Sequence, residues 1–588
     1  MQRSVLRWLG TLAVAASLAS CGGGSGNEPG SGGGTALPDS GKAPGTSGPL
    51  PTTPAVPAAG PDTPARPPDN ATPPAPPTGG DPLPADGAKP QSGDPLKGAW
   101  SSTVDWPLIA IHAALLPDGR VLTYGTEISR NGGSQFRYDI YDPARPFGTP
   151  DAHLTLPNTT STFLFCSAQV LLPLSGELLL SGGDIYRDGR LLNRGVADVN
   201  IFSPSNNRIS PTAPMNRPRW YATSTVLPTG DVYVQGGIDG EDHPEIRDGS
   251  GRFRLLDGID TLKTRASGER YFDNNYPRNF VAPNGRIFGL DHHWMYEIDP
   301  YSTGDDGKHG NLKLFQAHWD IPNTRGGNSF RGWAATSSAV MYRPGQILQI
   351  GGTQPNATKI DINGPSPVLT DLPPMRQTRQ WANATVMPDG KVFVSGGSSE
   401  NLLLDPENQA VGDVAYDTEI FDPQTGKWSP GAALSVQRFY HSIAILLPDA
   451  TILSSGGGSP GPVTNLNAQI YYPGYLFKGD GSLATRPVIE QTSNGLPAVV
   501  NPGTSFDLSS PDAGNIGRVT MVKTGSVTHS FDMDQRFIEP SYTVSGNQIR
   551  VTLPSNRYET PPGYYMVFIL DRNGTPSKAK MIRINPAD

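Results

Sequence analysis

Seven copies of one short pattern constrain this chain more than any other feature. AIHAALLPDGRVLTYG (110–125), FCSAQVLLPLSGELLLSGG (165–183), WYATSTVLPTGDVYVQGG (220–237), YPRNFVAPNGRIFGL (276–290), SSAVMYRPGQILQIGG (337–352), QWANATVMPDGKVFVSGG (380–397) and FYHSIAILLPDATILSSGG (439–457) each read as an apolar strand, a turn with Pro near its start and a second apolar strand, and most end in a glycine pair. The turn prolines, Pro117, Pro173, Pro228, Pro283, Pro344, Pro388 and Pro448, recur every 44 to 61 residues. Weaker strand-like pieces between the cores, such as YDIYDPARP, VNIFSPSNN and TEIFDPQTGKWSP, supply outer strands. A two-strand unit cannot bury its own apolar faces, whereas stacked four-stranded units can. Seven such units closed in a ring make an all-β, seven-bladed propeller with no long exposed sheet edge.

The spacing is of the kelch type, and the propeller is expected over 98–484. Beyond it the short alternating strands SFDLSS, VTMVKTG, IRVTLP, YYMVFIL and KMIRI predict an immunoglobulin-like sandwich over 485–588. The N-terminus differs in kind. MQRSVLRWLGTLAVAASLASC has Arg3 and Arg7, then an apolar run too short to span a membrane, so 1–21 is expected to be a secretory signal peptide. Leu18-Ala19-Ser20-Cys21 resembles a bacterial lipobox, which makes Cys21 the expected site of lipidation. Gly22 after the cysteine favours the outer membrane or cell surface over the inner membrane. Residues 22–97 are mostly Gly, Pro, Ala, Ser, Thr and Asp and lack the large apolar residues a core needs, so a disordered tether is expected. The net charge of -8, with no basic stripe, excludes a nucleic-acid binder. Nothing calls for a second copy, and a monomer is expected.

The first strand of each blade lies nearest the pore, so equivalent positions share one height around it. Seven residues before each turn proline stand Ala110, Cys166, Tyr221, Tyr276, Ser337, Trp381 and His441, with Tyr440 one residue ahead of the last. Thiol, phenols, indole and imidazole in one register exceed what a structural pore requires. Each alone has an ordinary structural explanation, since Cys is a common buried residue and Tyr and Trp are common in strands. Imidazole and phenolate suit Cu(II), and a thiol beside a tyrosine can be joined oxidatively to its ring. With Cys21 lipidated, Cys166 has no cysteine partner within the chain.

FLFCSAQ, RPRWYATSTVLPTG, RFYHSIAILLPD and GSVTHSFDMDQRFI together resemble the copper radical oxidases, the family of galactose oxidase and glyoxal oxidase, over about 98–588. The resemblance implies Cu(II) and a self-derived Cys-Tyr radical cofactor, with no organic cofactor. Cys166 would form a thioether with Tyr221, and Tyr221, His441 and His529 would be equatorial metal ligands with Tyr440 axial and acting as general base. It implies that a hairpin of the terminal domain enters the pore to bring His529. It implies oxidation of small aldehydes or primary alcohols by O2, with hydrogen peroxide as co-product. The family's tryptophan after the third glycine pair is missing from GGIDGEDHPEI, so Tyr276, Trp381 and Trp294 become candidates to shield the radical or line the substrate pocket. The tether stands where galactose oxidase has a sugar-binding domain, which argues against galactose specificity. The remaining histidines, His112, His153, His243, His292, His293, His309 and His318, show no ligand spacing; His292-His293, the one adjacent pair, is a structural or substrate-lining candidate. A non-catalytic kelch-type lipoprotein binding carbohydrate or protein is the alternative.

Overall fold

The computed structural model describes residues 89–126, 136–188, 190–264, 275–291, 294–317, 336–399, 413–458, 464–492 and 498–586. The signal peptide, Cys21, most of the tether, and His292, His293 and His318 lie outside them. Among the described residues seven antiparallel blades are present; five are four-stranded sheets, the sheet of the first takes in two further strands and that of the last one more, and the innermost strand of each lies at one of the seven repeats. We number the blades 1 to 7 along the chain. Blade 7 is completed by the N-terminal strand Ala99–Trp100, which pairs with Asn467–Tyr472 and so joins the two ends of the ring. The expected boundary at 97/98 falls inside folded structure. Gly93 N–H bonds Gly481 O at 3.0 Å, and the Lys97 carbonyl accepts from Ala432 N and from the Tyr471 hydroxyl.

The repeat's chemistry explains how blades lock together. At the head of the inner strand, Arg219, Arg379 and Arg438 are fully buried. Each guanidinium holds a glycine carbonyl on its own blade's second strand: Gly236 at 2.9 Å, Gly396 at 3.0 Å and Gly456 at 2.9 Å. Each arginine's own carbonyl accepts the N–H of the second glycine of the preceding blade, from Gly183, Gly352 and Gly397. The first glycines, Gly182, Gly351 and Gly396, have φ of +77°, +71° and +70° and no room for a Cβ against that carbonyl. The glycine pair is therefore the seam between blades.

Two sheets make the C-terminal domain, one of Gln491–Thr492, Ser505–Ser509, Gln548–Thr552 and Ser541–Ser545, the other built on Gly563–Asp571 and Ile516–Lys523. Phe506, Leu508, Met521, Val551, Val567 and Ile582 fill the space between them. The domain caps the propeller face that carries the proline turns: the Thr520 hydroxyl and Arg518 donate to the Pro388 and Asp389 carbonyls, and Ala579 N–H donates to Pro448 O.

The Arg379–Glu419 pair is buried on both sides, with Nη2 to Oε1 at 3.1 Å. Glu419→Gln strands that guanidinium without its carboxylate, and we expect a loss of about 3 kcal/mol or more in urea unfolding.

Candidate metal centre

Five of the seven register positions have a left-handed backbone. Cys166, Tyr221, Tyr276, Trp381 and His441 have φ of 57°, 73°, 47°, 63° and 67°. Such a conformation costs a residue with a side chain on the order of 1–2 kcal/mol. It interrupts strand alternation, so a side chain that would face a neighbouring blade is released toward the pore mouth. The kinks are tied in series: Tyr221 N–H donates to Cys166 O at 2.9 Å, Tyr276 N–H to Tyr221 O at 2.7 Å, and Trp381 N–H to Thr336 O at 2.8 Å. Ala110 and Ser337, the two register residues without reactive side chains, keep ordinary strand geometry.

The sixth functional group arrives from the other end of the pore. Strands Ser526–Thr528 and Phe531–Asp532 form a hairpin whose first strand pairs with Ile109–Leu115 of blade 1, His112 opposite Thr528. Its two-residue tip, His529-Ser530, has φ of 47° and 64°, the signs of a type I′ turn built without the usual Asn-Gly. The DMDQR sequence holds it there. The Asp532 carboxylate accepts backbone N–H bonds from Ser526, Asp534 and Gln535, and the Gln535 amide bonds Val386 N and Ala384 O of blade 6. Arg536 reaches the Val281 carbonyl of blade 4, and Lys523 pairs with Asp534 in the interior.

At the tip the groups converge. His529 Nε2 lies 2.9 Å from His441 Nε2 and 3.4 Å from Cys166 Sγ, and one ligand atom from each of the three falls within 4.8 Å of the others. The hydroxyls of Tyr221 and Tyr440 are 2.6 Å apart. Tyr440 stacks on His441, ring centroids 3.8 Å apart, and both Tyr221 and Tyr440 present their rings edgewise to His529. Cys166, Tyr440, His441 and His529 are buried, whereas Tyr221 is partly open, so access is on its side. The tautomer of His529 follows from its support. The Thr528 hydroxyl donates to Ile111 O at 2.9 Å and so can only accept from His529 Nδ1–H at 2.6 Å, which leaves the Nε2 lone pair aimed at His441. Burial and the neighbouring His441, His112 and Arg278 hold the His529 pKa well below the ordinary histidine value, so it stands neutral. Two buried imidazole nitrogens facing one another beside two phenols form a donor set suited to a cation that favours N and O ligands.

The other sequence candidates divide. Tyr276 is buried 5.1 Å from the Tyr221 ring and 4.7 Å from His529, with its hydroxyl donating to Ser167 O. Trp381 lies over Tyr440, centroid to centroid 4.6 Å, and not over Tyr221. Trp294 begins the third strand of blade 4, two strands away from the axis, and among the described residues has no ring contact with the cluster; membership of the inner strand, which the other candidates share, is what it lacks. The indole beside Tyr221 is Trp220, at 4.4 Å and 74°. Sequence reasoning passed over it although it stands inside the quoted Arg-Trp-Tyr motif. His112, read as featureless, is fully buried against Tyr124 with its ring 5.9 Å from His529, because its strand carries the hairpin.

Residues 486–584 match the family described as Galactose oxidase-like, Early set domain. Galactose oxidase of Gibberella zeae is 26% identical over 526 residues, covering 83% of this chain and 71% of the relative. The chain is a homologue of galactose oxidase. It is equally a homologue of aldehyde oxidase GLOX of Vitis pseudoreticulata, 26% identical over 484 residues, 72% of this chain and 82% of the relative. A fungal alcohol oxidase of the AA5 family, solved in complex with copper, shares the fold with a TM-score of 0.71 at 24% identity, over 83% of this chain and 99% of its own.

Two outcomes are expected of this galactose oxidase homologue. Thr528→Val removes the acceptor that sets the His529 tautomer, and Cu(II) affinity measured by chelator competition should fall about 10- to 100-fold. Asp184, just after the glycine pair of blade 2, is 1% exposed with one carboxylate oxygen unpartnered, and burial pushes its pKa up to about 7. A raised carboxyl pKa favours the folded state below the unfolded value of 3.8, and that advantage disappears as pH rises through 7. The Asp184 contribution should therefore decline between about pH 4 and 8, by up to ~4 kcal/mol, so the stability of the parent relative to Asp184→Asn should fall over that range.

Proposed function

We propose that the protein is an extracytoplasmic copper radical oxidase that oxidises small aldehydes or primary alcohols with O2 and releases hydrogen peroxide. The observation that carries this reading is the meeting of Cys166, Tyr221, Tyr440, His441 and His529, drawn from three blades and the terminal hairpin, at one end of the pore. A surface-binding propeller has no use for that convergence at the cost of five strained residues.

Tyr221, Tyr440, His441 and His529 would hold copper, which supplies Lewis acidity and one electron's worth of redox capacity. Cys166 would join its sulfur to the Tyr221 ring. That bond replaces one S–H and one C–H, and the two electrons and two protons released reduce O2 to hydrogen peroxide. The joined side chain then stores the second oxidising equivalent. Tyr440, hydrogen-bonded to Tyr221, is placed to accept the substrate hydroxyl proton. Trp220 and Tyr276, both edge-on to the Tyr221 ring, would cover part of it, the role for which Tyr276, Trp381 and Trp294 are the candidates by sequence. In turnover the alcohol loses two electrons and two protons, all recovered in the peroxide. The N-terminal sequence adds a place: lipidation at Cys21 and a tether holding a monomeric propeller off the outer membrane or cell surface, with no nucleic-acid partner.

Purified protein loaded with Cu(II) under air should become lighter by about 2 Da in intact mass as the thioether forms, and should release peroxide with a panel of aldehydes and alcohols. Cys166→Ser should keep copper and lose the mass change and most of the activity. Absence of both the mass loss and peroxide would leave the kelch-type binding lipoprotein as the reading.

A further inference from the structure

Three blades carry the same buried arginine, and in one of them it has no carboxylate. In blade 3 Arg219 Nη2 meets Glu245 Oε1 at 3.1 Å, and in blade 6 Arg379 Nη2 meets Glu419 Oε1 at 3.1 Å. Both glutamates occupy the same third-strand position, opposite Val234 and Val394. In blade 7 that position, opposite Ser454, is Gln469, whose amide turns to the Ser101 carbonyl. Arg438 Nη2 is met instead by Asn467 Oδ1 at 2.8 Å, and its Nε is buried with no partner. Among the described residues no carboxylate bonds it. A guanidinium is not deprotonated in the neutral range, so Arg438 is a buried cation.

This cation sits in the blade that bears Tyr440 and His441, two and three residues along the chain. The strand end it grips is the one that supports them: Arg438 holds Gly456 O, and the next two residues, Gly457 and Gly458, donate their N–H groups to the His441 and Tyr440 carbonyls. Water is excluded around it, so its field is poorly screened. A buried positive charge favours whichever form of a neighbouring redox centre is less positive.

We infer that Arg438 is a positioning residue for the redox centre: a cation of blade 7 with no bonded carboxylate that raises the reduction potential of the copper that Tyr440 and His441 would help to hold. The inference rests on the copper reading above. Blades 3 and 6 neutralise the same arginine where Tyr221 and Trp381 stand; of the three, the one with no carboxylate bonded to it stands beside Tyr440 and His441.

The test restores the missing carboxylate. Asn467→Asp keeps the contact geometry, and Gln469→Glu reproduces the arrangement of blades 3 and 6. In each, the ratio of Cu(II) to Cu(I) affinity, measured by competition with chelators for each oxidation state, should rise on the order of tenfold, because charges at buried sites interact through an effective dielectric of only about 20. Tenfold corresponds to a potential about 59 mV lower. Arg438→Met should shift the ratio the same way, whereas Arg438→Lys, which keeps the charge but not the forked bonds, should lower melting temperature and leave the ratio near that of the parent. The inference is overturned if the carboxylate variants bind copper with the parent's ratio, or if Arg438→Lys shifts it as far as Arg438→Met. Where the carboxylate variants do not fold, the lysine and methionine pair decides it. A parent protein that binds no copper overturns the copper reading itself, a separate result.

Discussion

The left-handed turn at the head of the inner strands is the constraint on which the rest of this structure depends. A blade strand in ordinary geometry spends every side chain on its two neighbouring blades. Only by breaking that alternation can Cys166, Tyr221, Tyr276, Trp381 and His441 leave the interblade packing and share one volume. Five such residues store several kcal/mol of backbone strain. The ring holds them because backbone bonds tie the kinks at Cys166, Tyr221, Tyr276 and Trp381 to neighbouring blades, and because the arginine–glycine seams just behind them make a local opening expensive.

The C-terminal domain solves a different problem. A ring of like strands offers positions only on its wall, and a metal held from one wall alone would be open on the other side. The hairpin tipped by His529 enters from the face carrying the proline turns and fills the pore, so the imidazole meets His441 and Cys166 from across the axis. Its two-residue turn, with positive φ at both His529 and Ser530, is disfavoured for such residues, and the Asp532, Gln535 and Arg536 bonds to the hairpin backbone and to blades 6 and 4 hold it in that form. The signature around His529 is thus mostly scaffold. Thr528 is the exception, since it sets which nitrogen faces the site.

Much of this was legible in the chain. Blade number followed from counting Pro turns, and the shared height of Cys166, Tyr221 and His441 followed from counting back from them, because strand rise is constant and the turns are alike. What was not legible depended on the third dimension. Trp381 has the right height but the wrong neighbour, Tyr440, because the ring separates blades 3 and 6. Trp294 looked available and lies two strands out. Trp220 was hidden by adjacency to Tyr221, since neighbours on a regular strand point apart, a rule that the left-handed turn suspends. The start of the fold was placed too late because residues 92–97 have the composition of the tether yet pair with 481 and 482 and with blade 6.

The sequence alone determined the all-β ring, its seven-fold count, the terminal sandwich and the register of reactive side chains, since each is a matter of periodicity and turn chemistry local to a few residues. Tertiary structure decided which of those side chains touch, that His529 and not a seventh blade residue completes the cluster, and that the arginine of blade 7 is left without its carboxylate. Those are contacts between residues from 26 to several hundred apart in the chain, as with Arg219 and Glu245 or Cys166 and His529. No local rule reaches them, because they arise only when the ring has closed and the hairpin has filled it.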